Sequence, residues 1–470
     1  MKLKSFLKKA AFYLLLNMPI LAFAQAKSIQ DPQHLHELQQ KFVDLRFGMF
    51  IHYNIPTYAN ADWPDPNASP NLFNPKHLDA DQWAKAAKSA NMSYGCLTTK
   101  HHSGFCIWDT KSTDYNVMKS PYGKDVVKQF TDAFRANGLK VMLYYSILDT
   151  HHKLRPNQIT PKHIEMVKTQ ITELLTNYGK IEALIIDGWD APWSRISYDD
   201  IPFEDIYRLI KTLQPDCLVM DLNGAKYPAE GLYYTDIKTY EMGAGQRMSK
   251  ESKVMPSLAC LPINTSWFWK TDFPTVPVRK PQEIVDKLIK PLNEASCNFI
   301  MNVAPNRDGR INENAIAALK EVGKLWKNEG PNTPLPTLDM PIISSNKAID
   351  RPSNSSWSDD MNIMDFANDD DYKTSWISNA TVSEPWYEVE LKNEQAVNMI
   401  VVEEEKPNIE SYVLEYWNGT GWTTIFDGKN EERVKVHRLP RFWTSKVRIR
   451  IKHAKGVASI AEFQVFDERR

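Results

Sequence analysis

Between residues 45 and 325 the chain alternates short, almost unbroken apolar runs with longer segments whose apolar residues recur at helical spacing. FGMFIHY (47–53), YGCLTT (94–99), VMLYYS (141–146), ALIID (183–187), CLVMDL (217–222), YTDIKTYE (234–241), SLACLPI (257–263) and NFIMNV (298–303) predict eight strands. DADQWAKAAKSA, KDVVKQFTDAFRANG, KHIEMVKTQITELLTNYG and PQEIVDKLIKPLNEA predict helices between them. The first four strands lack polar–apolar alternation, as expected of parallel strands covered on both faces. Strand–helix units repeated in this way predict an α/β fold, a (β/α)8-like barrel over residues 25–330. The proline-rich EGPNTPLPTLDMP then predicts a linker at 331–341. Beyond it helical spacing disappears. WYEVEL, NMIVVEE, YVLEYW, WTTIF, KVRIRIK and AEFQVF, with turn signals such as NGTG and DGKN between them, predict an all-β sandwich over 342–470.

The first residues belong to neither unit. Lys2, Lys4, Lys8 and Lys9 precede the apolar AFYLLLNMPILAF, and Ala22-Phe23-Ala24 places small residues where a signal peptidase reads them. Residues 1–24 are therefore expected to be a cleaved signal peptide that sends the chain to the periplasm or the extracellular space. No later stretch predicts a membrane helix. Without the four leader lysines the formal charge falls from −1 to −5, which favours neither nucleic acid nor an anionic membrane as partner. Cys96, Cys106, Cys217, Cys260 and Cys297 are odd in number and widely spaced, so they predict buried small hydrophobes, not a disulfide framework or a zinc site.

In a barrel of this kind chemistry gathers where strands end. Those positions hold His52, Lys100-His101-His102, Tyr144-Tyr145, Asp187-Gly188-Trp189, Asp221, Glu241, Asn264 and Asn302. Such a set suits a polar, aromatic-walled pocket for a hydroxyl-rich ligand. Asp187 is carried to the rim by an apolar strand, the rigid placement a carboxylate nucleophile needs, although an Asp-Gly turn has the same pattern. Glu241 ends a strand further round. Two carboxylates across one pocket are what glycoside hydrolysis uses, ~5–5.5 Å apart in retaining enzymes. The neighbouring His101 and His102 are expected to point to opposite sides of an extended backbone, and no spaced ligand pattern predicts a metal. Tyr240, Trp267 and Trp269 are candidates for the leaving-group side or for core packing.

FGMFIHYN, LTTKHHSGFCIWDTKSTDYNV, YYSILD, ALIIDGW and NFIMNVAPNRDGRI, in this order and spacing over roughly residues 40–330, resemble the α-L-fucosidases of glycoside hydrolase family 29. The resemblance implies an exo-acting, retaining enzyme that releases terminal L-fucose from a fucosylated oligosaccharide or glycoconjugate without cofactor or metal. It implies Asp187 as nucleophile, with His52, His101, His102, Tyr145 and Trp189 around the sugar and Asp62-Trp63 where the family often has Glu-Trp. Glu241 is the expected acid/base, with Glu251 in reserve. One departure stands out: many members carry Asp-Arg after the fifth strand, whereas Asp221 is followed here by Leu222 and Asn223. IKTYEMGAGQRM is similar to the branch that prefers α-1,3/1,4 linkages. DDDYKTSW, WYEVEL and ASIAEFQVF are similar to discoidin-like (coagulation factor 5/8 type C) carbohydrate-binding modules, some of which hold a structural calcium; Asp369–Asp371 either contributes to one or is a solvated acidic loop. A sugar binder without catalysis, and a glycosidase for a related sugar such as galactose, remain open at this point.

Overall fold

The computed structural model describes residues 32–189, 191–198, 200–223, 235–248, 256–337, 342–344 and 346–469. The expected leader, Glu251 and residues 338–341 of the expected linker lie outside them. Eight strands form one parallel sheet: β1 (Phe47–Ile51), β2 (Tyr94–Lys100), β3 (Lys140–Ser146), β4 (Ala183–Asp187), β5 (Leu218–Asp221), β6 (Lys238–Glu241), β7 (Ser257–Pro262) and β8 (Cys297–Asn302). Their order is β5-β4-β3-β2-β1-β8-β7-β6, so the sheet curls into a nearly closed barrel whose seam lies between β5 and β6.

The seam is stitched by one backbone bond, from the Asp236 amide to the Val219 carbonyl at 2.8 Å, and by side chains. Of the predicted strand 234–241, the part Lys238–Glu241 is a strand, and Asp236 lies just before it against β5. Its Oδ2 accepts the Val219 amide at 2.8 Å and pairs with the buried Lys211 ammonium at 2.7 Å.

Every residue of β1, β2, β4, β5 and β8 is buried, which is why these strands read as continuous apolar runs. Period 2 nevertheless sorts their side chains. Tyr94, Cys96, Met142, Tyr144, Ala183, Ile185 and Met220 fill the barrel interior. Leu97, Leu143, Tyr145, Leu184 and Ile186 face outward into the helical layer. That layer includes Ala80–Ser89, Val126–Ala136, Pro161–Thr176, Phe203–Leu213 and Glu313–Leu325. Asp79 and Asp125 start two of these helices by accepting the amides of Gln82 and Lys128 at 2.9 and 2.8 Å, caps each worth about 1 kcal/mol. All five cysteines are buried and free.

The C-terminal unit is built around antiparallel strands. Trp386–Glu403 lies between Ser353–Ser355 and Val434–Ala454, which pairs on its other side with Ile409–Trp417 and then Trp422–Lys429. WYEVEL and NMIVVEE, predicted as separate strands, are one strand of 18 residues broken only by register shifts. The shift between Glu390 and Gln395 bends it, so both runs still place their apolar residues in one core. The two units touch: Tyr198 packs against a patch containing Met399, Val401 and Phe466, and Arg195 pairs with Asp350 at 3.3 Å. Among the described residues no helix is long and apolar enough to cross a membrane.

Candidate active site

Asp187 shares its parity with Ala183 and Ile185, so β4 delivers the carboxylate to the inner rim of the barrel, where it is 4% exposed. Three donors hold it. Tyr144 Oη reaches Oδ2 at 2.5 Å, while the Gly188 amide and Asn223 Nδ2 reach Oδ1 at 2.7 and 3.2 Å. Gly188 has φ 97°, and a Cβ there would stand 3.0 Å from the Leu148 amide, so only glycine turns the chain here without strain. Burial pushes the Asp187 carboxyl up to about 6 against the pull of the three donors.

Three imidazoles close over this carboxylate. The Asn302 amide donates through Nδ2 to the Trp267 carbonyl at 2.7 Å, so its Oδ1 faces His52 Nδ1 at 2.9 Å. Nδ1 must therefore carry the proton, which leaves Nε2 of His52 as an acceptor. The same logic applies to His102. Ser146 spends its hydroxyl proton on the Leu148 carbonyl, so His102 Nδ1–H donates to Ser146 Oγ at 2.8 Å. Its Nε2 then lies 3.7 Å from Asp187 Oδ2. Burial holds His52 down to about 3 and holds His101 and His102 well below the usual imidazole range. All three stay neutral at physiological pH and present unprotonated or hydrogen-bonding nitrogens without a full charge.

The expectation that His101 and His102 diverge is corrected. Their rings lie 3.9 Å apart, because β2 ends at Lys100 and the chain turns, with the Gly104 amide bonding the His101 carbonyl at 2.9 Å. Lys100, last in the strand, points outward instead, over the Tyr145 ring and 3.4 Å from the buried Asp149.

Two expected sugar contacts are corrected in the same way. Tyr145 faces the helical layer and donates to Gln170 at 2.6 Å; its neighbour Tyr144 has the inward parity. Trp189 is buried against Phe203, with its indole donating to the Ile201 carbonyl at 3.0 Å. Trp193 takes the place at the pocket, 4.3 Å from the His102 ring. Trp63 stacks on His102 at 4.8 Å, meets Trp193 edge-on at 5.4 Å and is 49% exposed, a lip at the mouth. Asp62, beside it, is held by Ser266 at 2.7 Å and Lys270 at 2.9 Å, tying the two loops of the rim together.

Of the three leaving-group candidates, Trp267 lies 5.0 Å from His52 and near enough to Glu241 to pull its carboxyl down. Tyr240 packs with Ala259 and Cys297, and Trp269 with Phe273, both away from the imidazoles. Glu241 is half-buried at the end of β6, its amide bound to Gln246 Oε1 at 2.7 Å. Burial and the Asp187 charge push its carboxyl up to about 7. Sequence reasoning missed Tyr144 as the partner of Asp187, Trp193, and Asn223; the last is the very residue of the Asp-Leu-Asn departure.

The Tyr144 bond gives a direct test. In Tyr144→Phe the Asp187 carboxylate loses its shortest donor, and bonds to charged groups contribute about 1.5–3 kcal/mol. Activity should fall at least about tenfold, and its acidic limb should move to higher pH; an unmoved limb would contradict the assigned contact.

A parallel barrel with a buried carboxylate beneath neutral imidazoles, followed by a β module, is an architecture of the glycoside hydrolase class. The family model described as alpha-L-fucosidase matches residues 58–331, and the F5/8 type C domain matches 344–463. The chain belongs to the alpha-L-fucosidase family. It is 29% identical over 298 residues to alpha-L-fucosidase 1 of Arabidopsis thaliana, covering 59% of this chain and 57% of that one. With tissue alpha-L-fucosidase of Mus musculus it shares 27% over 293 residues, 58% of this chain and 59% of the other. The matches thus span little more than half the length of these curated relatives. Among solved structures, a glycoside hydrolase 29 family member from a rumen bacterium superposes with TM-score 0.53 at 23% identity, over 92% of this chain and 76% of that one. A Ruminococcus gnavus fucosidase mutant in complex with fucose superposes with TM-score 0.50 at 18% identity, over 92% of this chain and 94% of the other.

Proposed function

We propose that the protein is an exo-acting, retaining α-L-fucosidase that releases terminal L-fucose from glycans, with Asp187 as nucleophile and Glu241 as acid/base. The observation that carries this reading is the contrast between the two carboxyls. Asp187 is fixed by three donors, and Glu241, at the open side, holds its proton to higher pH. Environments that separate two carboxyls in this sense assign the acid and the nucleophile. Asp187 attacks C1 while Glu241 gives its proton to the departing glycosidic oxygen, leaving a fucosyl ester. Glu241 then takes a proton from water, whose oxygen attacks C1 and expels Asp187 as a carboxylate. The neutral imidazoles, and Nε2 of His52 and His102 in particular, accept bonds from sugar hydroxyls. A fucose complex of the Ruminococcus gnavus neighbour supports the choice of sugar. The IKTYEMGAGQRM segment supports a preference for α-1,3/1,4 linkages, and the lysine-led apolar residues 1–24 support export to the periplasm or beyond. The test is hydrolysis of an aryl α-L-fucoside followed by proton NMR: α-fucose as the first product agrees, and β-fucose first, or no turnover, contradicts.

The pH profile should be a narrow bell. Below about 6 Asp187 gains a proton and stops attacking, so kcat/KM falls towards acid; above about 7 Glu241 loses the proton it must donate, so kcat/KM falls towards base. Both limbs belong to the coupled pair. A flat profile from about pH 5 to 9 would contradict this assignment.

We also propose that the β module holds a structural calcium near Glu462. Glu462 is wholly buried against Asp369, Asp370 and Glu403, whose charges add to burial in pushing its carboxyl well above the usual carboxylate range, while the Asp370 amide pulls it back. A buried carboxylate crowded by three others fits a cation. Among the described residues no three His, Cys, Asp or Glu side chains converge to hold a metal, so main-chain carbonyls of 369–374 would have to share the coordination. A ligand at a hundred times its Kd stabilises by about 2.7 kcal/mol. Chelation should therefore lower the melting temperature by several degrees, with calcium restoring it, and Glu462→Gln should remove the response; equal melting with and without chelator in the native chain would contradict the proposal.

A further inference from the structure

We infer that the segment Asp370–Lys373 of the C-terminal module forms the outer wall of the leaving-group site, so that the module selects the sugar from which fucose is cleaved. This rests on the fucosidase reading. The geometry is a cavity of about 340 Å³ between the two units. The barrel contributes Trp193, Asn223 and Glu241; the module contributes Asp370, Asp371, Tyr372 and Lys373. Asn223 is one of the three donors that hold Asp187, and Glu241 is the group assigned to protonate the leaving oxygen. A cavity opening on the acid, and not on the imidazole cup, is where the departing half of the substrate sits.

The wall is fixed in place. Gly245 of the barrel, with φ 98°, lies so close that a Cβ there would come within 3.2 Å of Tyr372 Cβ. Arg195 donates to the Asp369 carbonyl at 3.2 Å, and Gln464, inside the module, donates to Tyr372 Oη at 3.0 Å. The side chains of Asp371 and Lys373 are exposed, whereas Tyr372 is buried as the anchor. Lys373 is close enough to act electrostatically on Glu241. One ammonium (Lys373) and three carboxyls (Asp370, Asp371 and Glu241, the last assigned to hold a proton) offer donors and acceptors around a small cleft. That chemistry suits a neutral, hydroxyl-rich saccharide better than a phenol or an anionic group.

The full chain and its Lys373→Ala and Asp371→Ala variants would be assayed on α-L-fucosyl fluoride, which has no leaving sugar, and on neutral trisaccharides bearing α-1,2-, α-1,3- or α-1,4-linked fucose. Both positions are exposed, so each variant is expected to keep its fold, which a melting curve checks. The ratio of kcat/KM on the best trisaccharide to that on the fluoride should fall at least tenfold in each variant, with most of the change in KM. A ratio within twofold of the native chain in both variants overturns the inference while leaving the fucosidase reading intact. If the native chain hydrolyses neither the fluoride nor any trisaccharide, the fucosidase reading itself fails and takes the inference with it.

Discussion

Asp187→Ala should lower kcat on every fucoside by on the order of 10⁴-fold or more, the scale seen when a covalent nucleophile is removed. The loss should not depend on the leaving group, because even an activated aryl fucoside needs an attacking group at C1. Free fucose should still bind, since the imidazoles are positioned independently of the carboxylate: His52 by Asn302 and His102 by Ser146. The variant should also keep its fold. Asp187 is a buried acid whose proton affinity is raised by burial, so replacing it relieves a desolvation cost even as Tyr144 and Asn223 lose an acceptor. Calorimetry with fucose and a melting curve separate this outcome from simple unfolding. A variant that retains more than about a tenth of native turnover would refute the nucleophile assignment.

Glu241→Ala should behave differently. General acid catalysis contributes roughly 10²–10⁴-fold, and its share grows with the basicity of the leaving group. A fucosylated oligosaccharide should therefore lose the full factor, while an aryl fucoside with an acidic phenol should lose much less in its first step and accumulate the glycosyl-enzyme. Azide needs no general base. It should attack that ester from the face the leaving group vacated and restore turnover, giving α-fucosyl azide. The basic limb of the pH profile should vanish in the same variant. Equal losses on both substrates with no azide product would remove Glu241 from the role and return it to Glu251.

How much of this was legible beforehand follows from the physics of each feature. The eight barrel strands stood out because strands buried on both faces write apolar runs into the sequence, and ALIID matches β4 residue for residue. That same burial erased the alternation that would have told inward from outward. Tyr144 and Tyr145 are chemically alike, and only the register of a buried strand assigns one to Asp187 and the other to Gln170. His101 and His102 were misjudged because the turn after Lys100 depends on tertiary contacts around Gly104 and Asp149, not on local propensity. Trp193 follows Asp187 by six residues without a periodic signal, so nothing local distinguished it from Trp189. The continuous strand Trp386–Glu403 was divided by KNEQA, a polar stretch that bulges instead of turning. The seam between β5 and β6 was invisible for a related reason: at Val219 one of the two backbone groups is answered by a side-chain carboxylate, that of Asp236, which an apolar pattern does not foretell.

The central claim is that Asp187 forms a bond to the anomeric carbon. A 2-deoxy-2-fluoro-fucosyl fluoride slows both chemical steps and leaves the glycosyl-enzyme to accumulate, so digestion and mass spectrometry can locate the label. One deoxyfluorofucosyl group is expected on Asp187, within the peptide that contains ALIIDGW. A label on any other residue, or steady hydrolysis of the fluoride with no covalent adduct, would contradict it.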